Sequence, residues 1–86
     1  MEADGYEGLR GQLDQMNWPA IFPFKFIIPI DKLEVTLNLF EKQDTTTKIS
    51  RKGNYASVTA KPFMYSGEHV IEKYKEANEI EGLLAL

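Results

Sequence analysis

Ser50-Arg51-Lys52-Gly53-Asn54-Tyr55-Ala56-Ser57-Val58 decides how the chain is read. Two β-prone runs flank a Gly-Asn pair, and such a pair between strands signals a two-residue hairpin. Gly53 accepts φ > 0 without a Cβ clash, and Asn54 tolerates it better than most residues. The hairpin therefore joins an incoming strand over 45–51 to an outgoing strand over 55–61, which Pro62 stops. It also gathers Lys48, Arg51 and Lys52 at one end of a chain whose net charge is -3.

Working outward, residues 22–30 read as a strand bounded by Pro23 and Pro29, with Phe24, Phe26 and Ile28 on one face and Lys25 and Ile27 on the other. Asp31 and Glu34 have the spacing of a capping box. Leu33, Leu37, Leu39 and Phe40 supply the apolar stripe of a helix running to about residue 42. Ser66 is placed to cap a second helix through about residue 78, with Val70, Ile71, Tyr74 and Ala77 buried. Residues 80–86 read as a last strand with Ile80, Leu84 and Leu86 turned inward. Residues 1–20 form a leader. Tyr6, Leu9, Leu13 and Met16 give it helical spacing, Gly5, Gly8 and Gly11 weaken it, and Trp18-Pro19 ends it. The first few residues are expected to be mobile.

The order β-α-β-β-α-β over residues 21–86 predicts an α+β domain with a ferredoxin-like, two-layer arrangement: a four-stranded antiparallel sheet with both helices on one face. Right-handed crossovers put the first and third strands in the centre. Small Ala56, Val58 and Ala60 then allow a helix to lie close. The opposite face, carrying Lys25, Ile27, Tyr55, Ser57, Thr59 and Lys61, is left open.

Eighty-six residues with 43% hydrophobic content support one domain with one modest core. The absence of cysteine excludes disulfides, zinc-thiolate sites and cysteine nucleophiles, and tilts the chain toward a cytoplasmic location. The N-terminus has no basic and apolar signal-peptide pattern, and the run from Phe22 to Ile30 is too short and too interrupted to cross a bilayer. His69 is the only histidine. With no second one beside Ser50, Ser57 or Ser66, nucleophilic catalysis lacks its base. Neither a phosphate loop nor a metal-ligand pattern appears, so no enzyme activity, cofactor or metal is expected. Glu68, Glu72 and Glu76 lie four apart on the second helix and read as a solvated face.

Two binding readings follow. One places a small metabolite or a protein partner at Ser50, Arg51, Lys52, Gly53, Asn54, Tyr55 and Ser57, where a ring and cations meet. The other is single-stranded RNA on the open face. It is disfavoured because Tyr55 is the one aromatic there, with Ser57 and Ile27 at the other stacking positions. A homodimer could form through the sheet edge at residues 45–51.

The segments Phe22-Pro23-Phe24-Lys25-Phe26, Ser50 to Val58, and Tyr74 followed by Ile80-Glu81-Gly82-Leu83 and Leu86 resemble the YbeD-like family of small bacterial proteins of unknown function. The resemblance spans roughly residues 13–86. It implies a ferredoxin-like fold similar in shape to ACT-type regulatory domains, which bind small ligands such as amino acids. It carries over no catalytic residue.

Overall fold

The computed structural model describes residues 4–86. The mobility expected of the first residues falls on positions outside that range. The chain forms helix α1 (Glu7–Leu13), strands β1 (Ala20–Ile21) and β2 (Phe24–Pro29), and helix α2 (Leu33–Leu37) entered by a 3-10 turn. A second 3-10 turn (Lys42–Asp44) leads to β3 (Thr45–Ile49), β4 (Tyr55–Ala60), β5 (Phe63–Met64), helix α3 (Gly67–Asn78) and β6 (Leu84–Ala85). The main sheet is antiparallel, in the order β3-β4-β2-β6. A second ladder, not anticipated, pairs β1 with β5 after Pro62 has ended β4.

Alternation along β2 does what the residue types require. Phe24, Phe26 and Ile28 are buried, and Lys25 is exposed. Register sets large against small: Phe24 faces Ala60, Phe26 faces Val58 and Ile28 faces Ala56, all buried. The shelf left by the small residues holds an aromatic cluster. Phe24 lies 5.0 Å from Tyr74, 5.1 Å from Phe22 and 5.3 Å from Phe40 between ring centroids. Burial pushes the Tyr74 hydroxyl above the usual tyrosine range. Helix α3 starts as its sequence predicts: Ser66 is extended, and its Oγ accepts the His69 N–H at 3.1 Å. Val70, Ile71 and Ala77 are buried from that helix.

Three expectations are corrected. Helix α2 ends at Leu37 rather than about residue 42, because Leu39 and Phe40 donate to the carbonyls of Thr36 and Leu37 and tighten the chain. The Asp31–Glu34 capping box does not form. Lys32 is the N-cap of α2, with no side-chain capping bond. Thr36, fully buried, donates instead to the Lys32 carbonyl at 2.8 Å. The last strand is only Leu84–Ala85, and Leu84 and Leu86 are exposed instead of facing inward.

Helix α1 is joined to the body by packing and by charge. Leu13 is 1% exposed and belongs to the core cluster. A Cβ built on Gly67 would stand 3.0 Å from the Leu13 Cβ, so the absent side chain at the start of α3 admits Leu13. Arg10 bridges Asp4 at 2.9 Å and Glu68 at 2.5 Å, and Lys75 reaches Asp4 at 3.2 Å. The hydrogen bond from Arg10 comes first, then the Tyr6 backbone N–H, in holding the Asp4 carboxyl well below the usual carboxylate range.

A carboxyl with a depressed native pKa stabilises the fold fully above its unfolded value near pH 4, and that contribution is lost as pH falls through the lower native value. Amide exchange in α1 is therefore expected to accelerate relative to α3 below about pH 4 in the wild type. In Asp4→Asn the difference should already be present at neutral pH and change little on acidification. Identical exchange profiles for the two proteins would remove Asp4 from the forces that dock α1 and leave Leu13 and the Arg10–Glu68 pair.

Candidate functional site

The hairpin is built differently from a two-residue turn. Register pairs Ile49 with Ala56, and the Ser50 N–H donates to the Tyr55 carbonyl at 2.8 Å. The loop is thus four residues, 51–54. Inside it the Gly53 N–H donates to the Ser50 carbonyl at 2.9 Å, and Gly53 takes φ +77°. Asn54 does not share a positive φ. Its carbonyl accepts the Ile30 N–H at 2.9 Å, which ties the loop to the end of β2. The Ser50 Oγ accepts the Tyr55 N–H at 3.1 Å, so the serine braces the strand entry.

Beside this turn lies an open groove of about 220 Å³ on the face of the sheet away from the helices. Ile27 and Tyr55 give it apolar side chains, Ile49 and Ala56 border it from strand positions of the opposite parity, and Lys48, Arg51, Ser50 and Ser57 contribute polar groups. Cross-strand register explains the assembly, because Lys48 on β3 faces Ser57 on β4, which faces Ile27 on β2. Tyr55 is 53% exposed, and its cross-strand neighbour is Pro29.

Of the seven residues singled out from sequence, Ser50, Arg51, Tyr55 and Ser57 line the groove, whereas Lys52, Gly53 and Asn54 do not. Gly53 and Asn54 shape the loop. Lys48 and Ile49 were missing from that set. Strand parity placed Ile27 on the open face, and only the pairing of β3 with β4 brings Lys48 beside it.

The groove is electropositive. Among the described residues no acidic side chain lines it, and neither Lys48 nor Arg51 takes part in an ion pair. Together these groups can hold an anionic head with a pair of cations while an apolar body lies on Ile27 and Tyr55.

The other polar candidates have local partners. The Nδ1 of His69 accepts the Tyr65 N–H at 3.2 Å. On α3, Glu68 pairs with Arg10 and Glu76 lies 3.6 Å from Lys73, so two members of the acidic row are already engaged. Among the described residues no group of three or more His, Asp or Glu side chains is arranged to hold a metal ion. No described helix is long and apolar enough to cross a membrane.

No protein-family model and no solved structure matches the chain. A UPF0250 protein of Shewanella putrefaciens is 32% identical over 75 residues, covering 79% of this chain and 85% of that relative. Identity at that level across most of both chains agrees with the YbeD-like resemblance of the sequence: the chain belongs to the UPF0250 family of small bacterial proteins.

Proposed function

We propose that the protein is a non-catalytic binding module of ferredoxin-like, ACT-like shape. It works as a cytoplasmic regulatory or adaptor domain and takes a small anionic metabolite with an apolar body into the hairpin groove. The observation that carries this reading is the pair of cations, Lys48 and Arg51, which among the described residues have no acidic partner, beside the apolar floor of Ile27 and Tyr55. The spatial strand order, with β2 and β4 central and antiparallel to their neighbours, supports the ferredoxin-like description.

Size narrows the ligand. Pockets for drug-sized molecules run to about 300–1,000 Å³. A groove of about 220 Å³ suits a single ring or a short chain bearing a carboxylate or phosphate. Single-stranded RNA is the weaker reading, because Ser57 and Ile27 occupy the central positions where stacking rings would be needed.

The test is a titration of isotopically labelled protein with benzoate and phenyl phosphate, with neutral benzamide as the control. Both anions should shift the amides of Ile27, Lys48, Tyr55 and Ser57, and benzamide should not. Lys48→Glu with Arg51→Glu is expected to weaken anion binding at least roughly tenfold, the scale of one or two charge-assisted contacts. Tyr55→Ala should weaken it by less. Equal response to benzamide, or no response to either anion, would overturn the reading.

A further inference from the structure

The end of the molecule that carries β5 and the start of α3 displays aromatic side chains without burying them. Alternation along 63–65 turns Met64 into the core and leaves Phe63 and Tyr65 outside, at 52% and 67% exposure. Their rings meet edge to face at 5.4 Å. Tyr65 also stacks on His69, with centroids 5.8 Å apart and planes 19° from parallel. The bond from the Tyr65 N–H to His69 Nδ1 fixes that pair from the backbone. Across the small ladder, Phe63 faces Ile21, which is also exposed. Exposed aromatics clustered beside an aliphatic side chain mark contact surfaces more often than solvated ones.

A cleft of about 380 Å³ opens beside these rings and is lined also by Glu41 and Asp44. Their backbone is fixed: the Asp44 N–H donates to the Glu41 carbonyl, and the Asp44 carbonyl accepts the Lys61 N–H, both at 3.0 Å. Among the described residues neither carboxylate makes an ion pair. Lys73 is the one Lys or Arg among the described residues lining the cleft, and its ammonium is engaged at the cleft's Leu39–Phe40 side and with Glu76, not with Glu41 or Asp44. It donates to the Leu39 carbonyl at 2.8 Å, lies 3.6 Å from Glu76 and sits over the Phe40 ring at 5.6 Å. The cleft therefore combines ring faces with two carboxylates that, among the described residues, no cation pairs with.

That combination selects a guanidinium. A planar guanidinium stacks on an aromatic face, bonds a carboxylate through two parallel N–H groups and loses less hydration than an ammonium. The same carboxylates repel phosphate. Ile21 and Phe63 beside the cleft suit an apolar neighbour of the arginine, which a protein segment carries and a small cation lacks. We propose that this cleft docks an arginine side chain presented by a basic, partly apolar segment of a partner protein. The site is separate from the hairpin groove and does not depend on what that groove binds.

The experiment titrates labelled full-length protein with the peptide acetyl-Leu-Gly-Arg-Gly-Leu-amide, with its citrulline counterpart, and with free argininamide. The arginine peptide is expected to shift the amides of Glu41, Asp44, Phe63, Tyr65 and His69. Citrulline keeps the shape and removes the charge, and should not bind measurably. Argininamide should bind more weakly than the peptide. Glu41→Gln with Asp44→Asn should weaken the peptide roughly tenfold, as loss of a charge-assisted pair implies. Tyr65→Ala should weaken it about threefold, the scale of one exposed cation–π contact. The carboxamide pair is isosteric, with Glu41 exposed and Asp44 partly so, which keeps the test valid should Tyr65→Ala misfold. The proposal fails on any of three results: equal binding of the citrulline peptide, shifts confined to the hairpin, or no change in the carboxamide variant. Argininamide binding as tightly as the peptide would overturn the assignment to a protein partner.

Discussion

Leu13→Ala is expected to destabilise the protein by about 3 kcal/mol, within the range for buried Leu→Ala changes. Leu13 is 1% exposed, and its side chain closes the space above Gly67. Truncation removes the apolar area and leaves a cavity between α1 and α3 that a glycine cannot fill. The surrounding anchors limit how far the site can collapse: Trp18 Nε1 donates to the Leu13 carbonyl at 3.0 Å, and Arg10 holds Glu68 on α3. Chemical denaturation of wild type and variant, read with an unchanged m-value, measures the loss. A change below about 1 kcal/mol would mean that α1 contributes little to the core, since ordinary surface substitutions stay within roughly half that. Deleting residues 1–12 offers a second readout, because it keeps Leu13 but removes the helix that orients it.

The same residue shows where sequence reading works and where it stops. Helical spacing of Tyr6, Leu9 and Leu13 pointed to a short helix, and α1 is there. Spacing cannot tell which surface receives it. That depends on Gly67, more than fifty residues away, lacking a side chain. Strand β2 was legible because Phe24, Phe26 and Ile28 alternate with Lys25, so that one register alone buries the rings. The start of α3 was legible because Ser66 supplies its own local hydrogen bond.

The last strand was misread for a related reason. Ile80, Leu84 and Leu86 share a parity, yet parity does not say which face is inside. Pairing does: Leu84 lies opposite Ile27, which is on the open face, while Leu83 packs toward the core. In the hairpin, Gly53 was correctly placed at positive φ, but Asn54 uses its carbonyl to bind Ile30 rather than adopting a left-handed conformation. The groove was half visible. Tyr55, Arg51, Ser50 and Ser57 are local to one segment and the hairpin brings Lys48 to the same end, whereas Ile27 joins them through the register of β2 on β4, which that segment does not encode.

Gly82→Ala should cost about 2–4 kcal/mol, from two separable sources. The Leu83 N–H donates to the Ile80 carbonyl at 3.2 Å, closing a turn in which Gly82 is the third residue with φ +83°. An L side chain in that conformation is strained by about 1–2 kcal/mol. The added Cβ would also stand 2.7 Å from the Pro29 Cγ, closer than nonbonded carbons approach, and the proline ring is rigid. Relief requires moving the turn or the end of β2. The turn leads straight into β6, whose pairing with β2 includes the bond from the Leu86 N–H to the Lys25 carbonyl at 2.9 Å.

The variant is thus expected to lose exchange protection at Leu86 while β2–β4 amides stay protected. The double variant Pro29→Ala, Gly82→Ala separates the two sources. Removing the ring relieves the clash and leaves the backbone strain, so the two changes should couple favourably by roughly 1 kcal/mol or more. Additive effects would place the whole cost in the φ of residue 82. A Gly82→Ala protein as stable as wild type, with Leu86 still protected, would remove the turn from the forces that fix the last strand. The outcome also bears on the groove, because Pro29 is the cross-strand neighbour of Tyr55. A displaced Pro29 shifts the wall on which a bound ring would lie, so Gly82→Ala should weaken benzoate binding while leaving Lys48 and Arg51 in place.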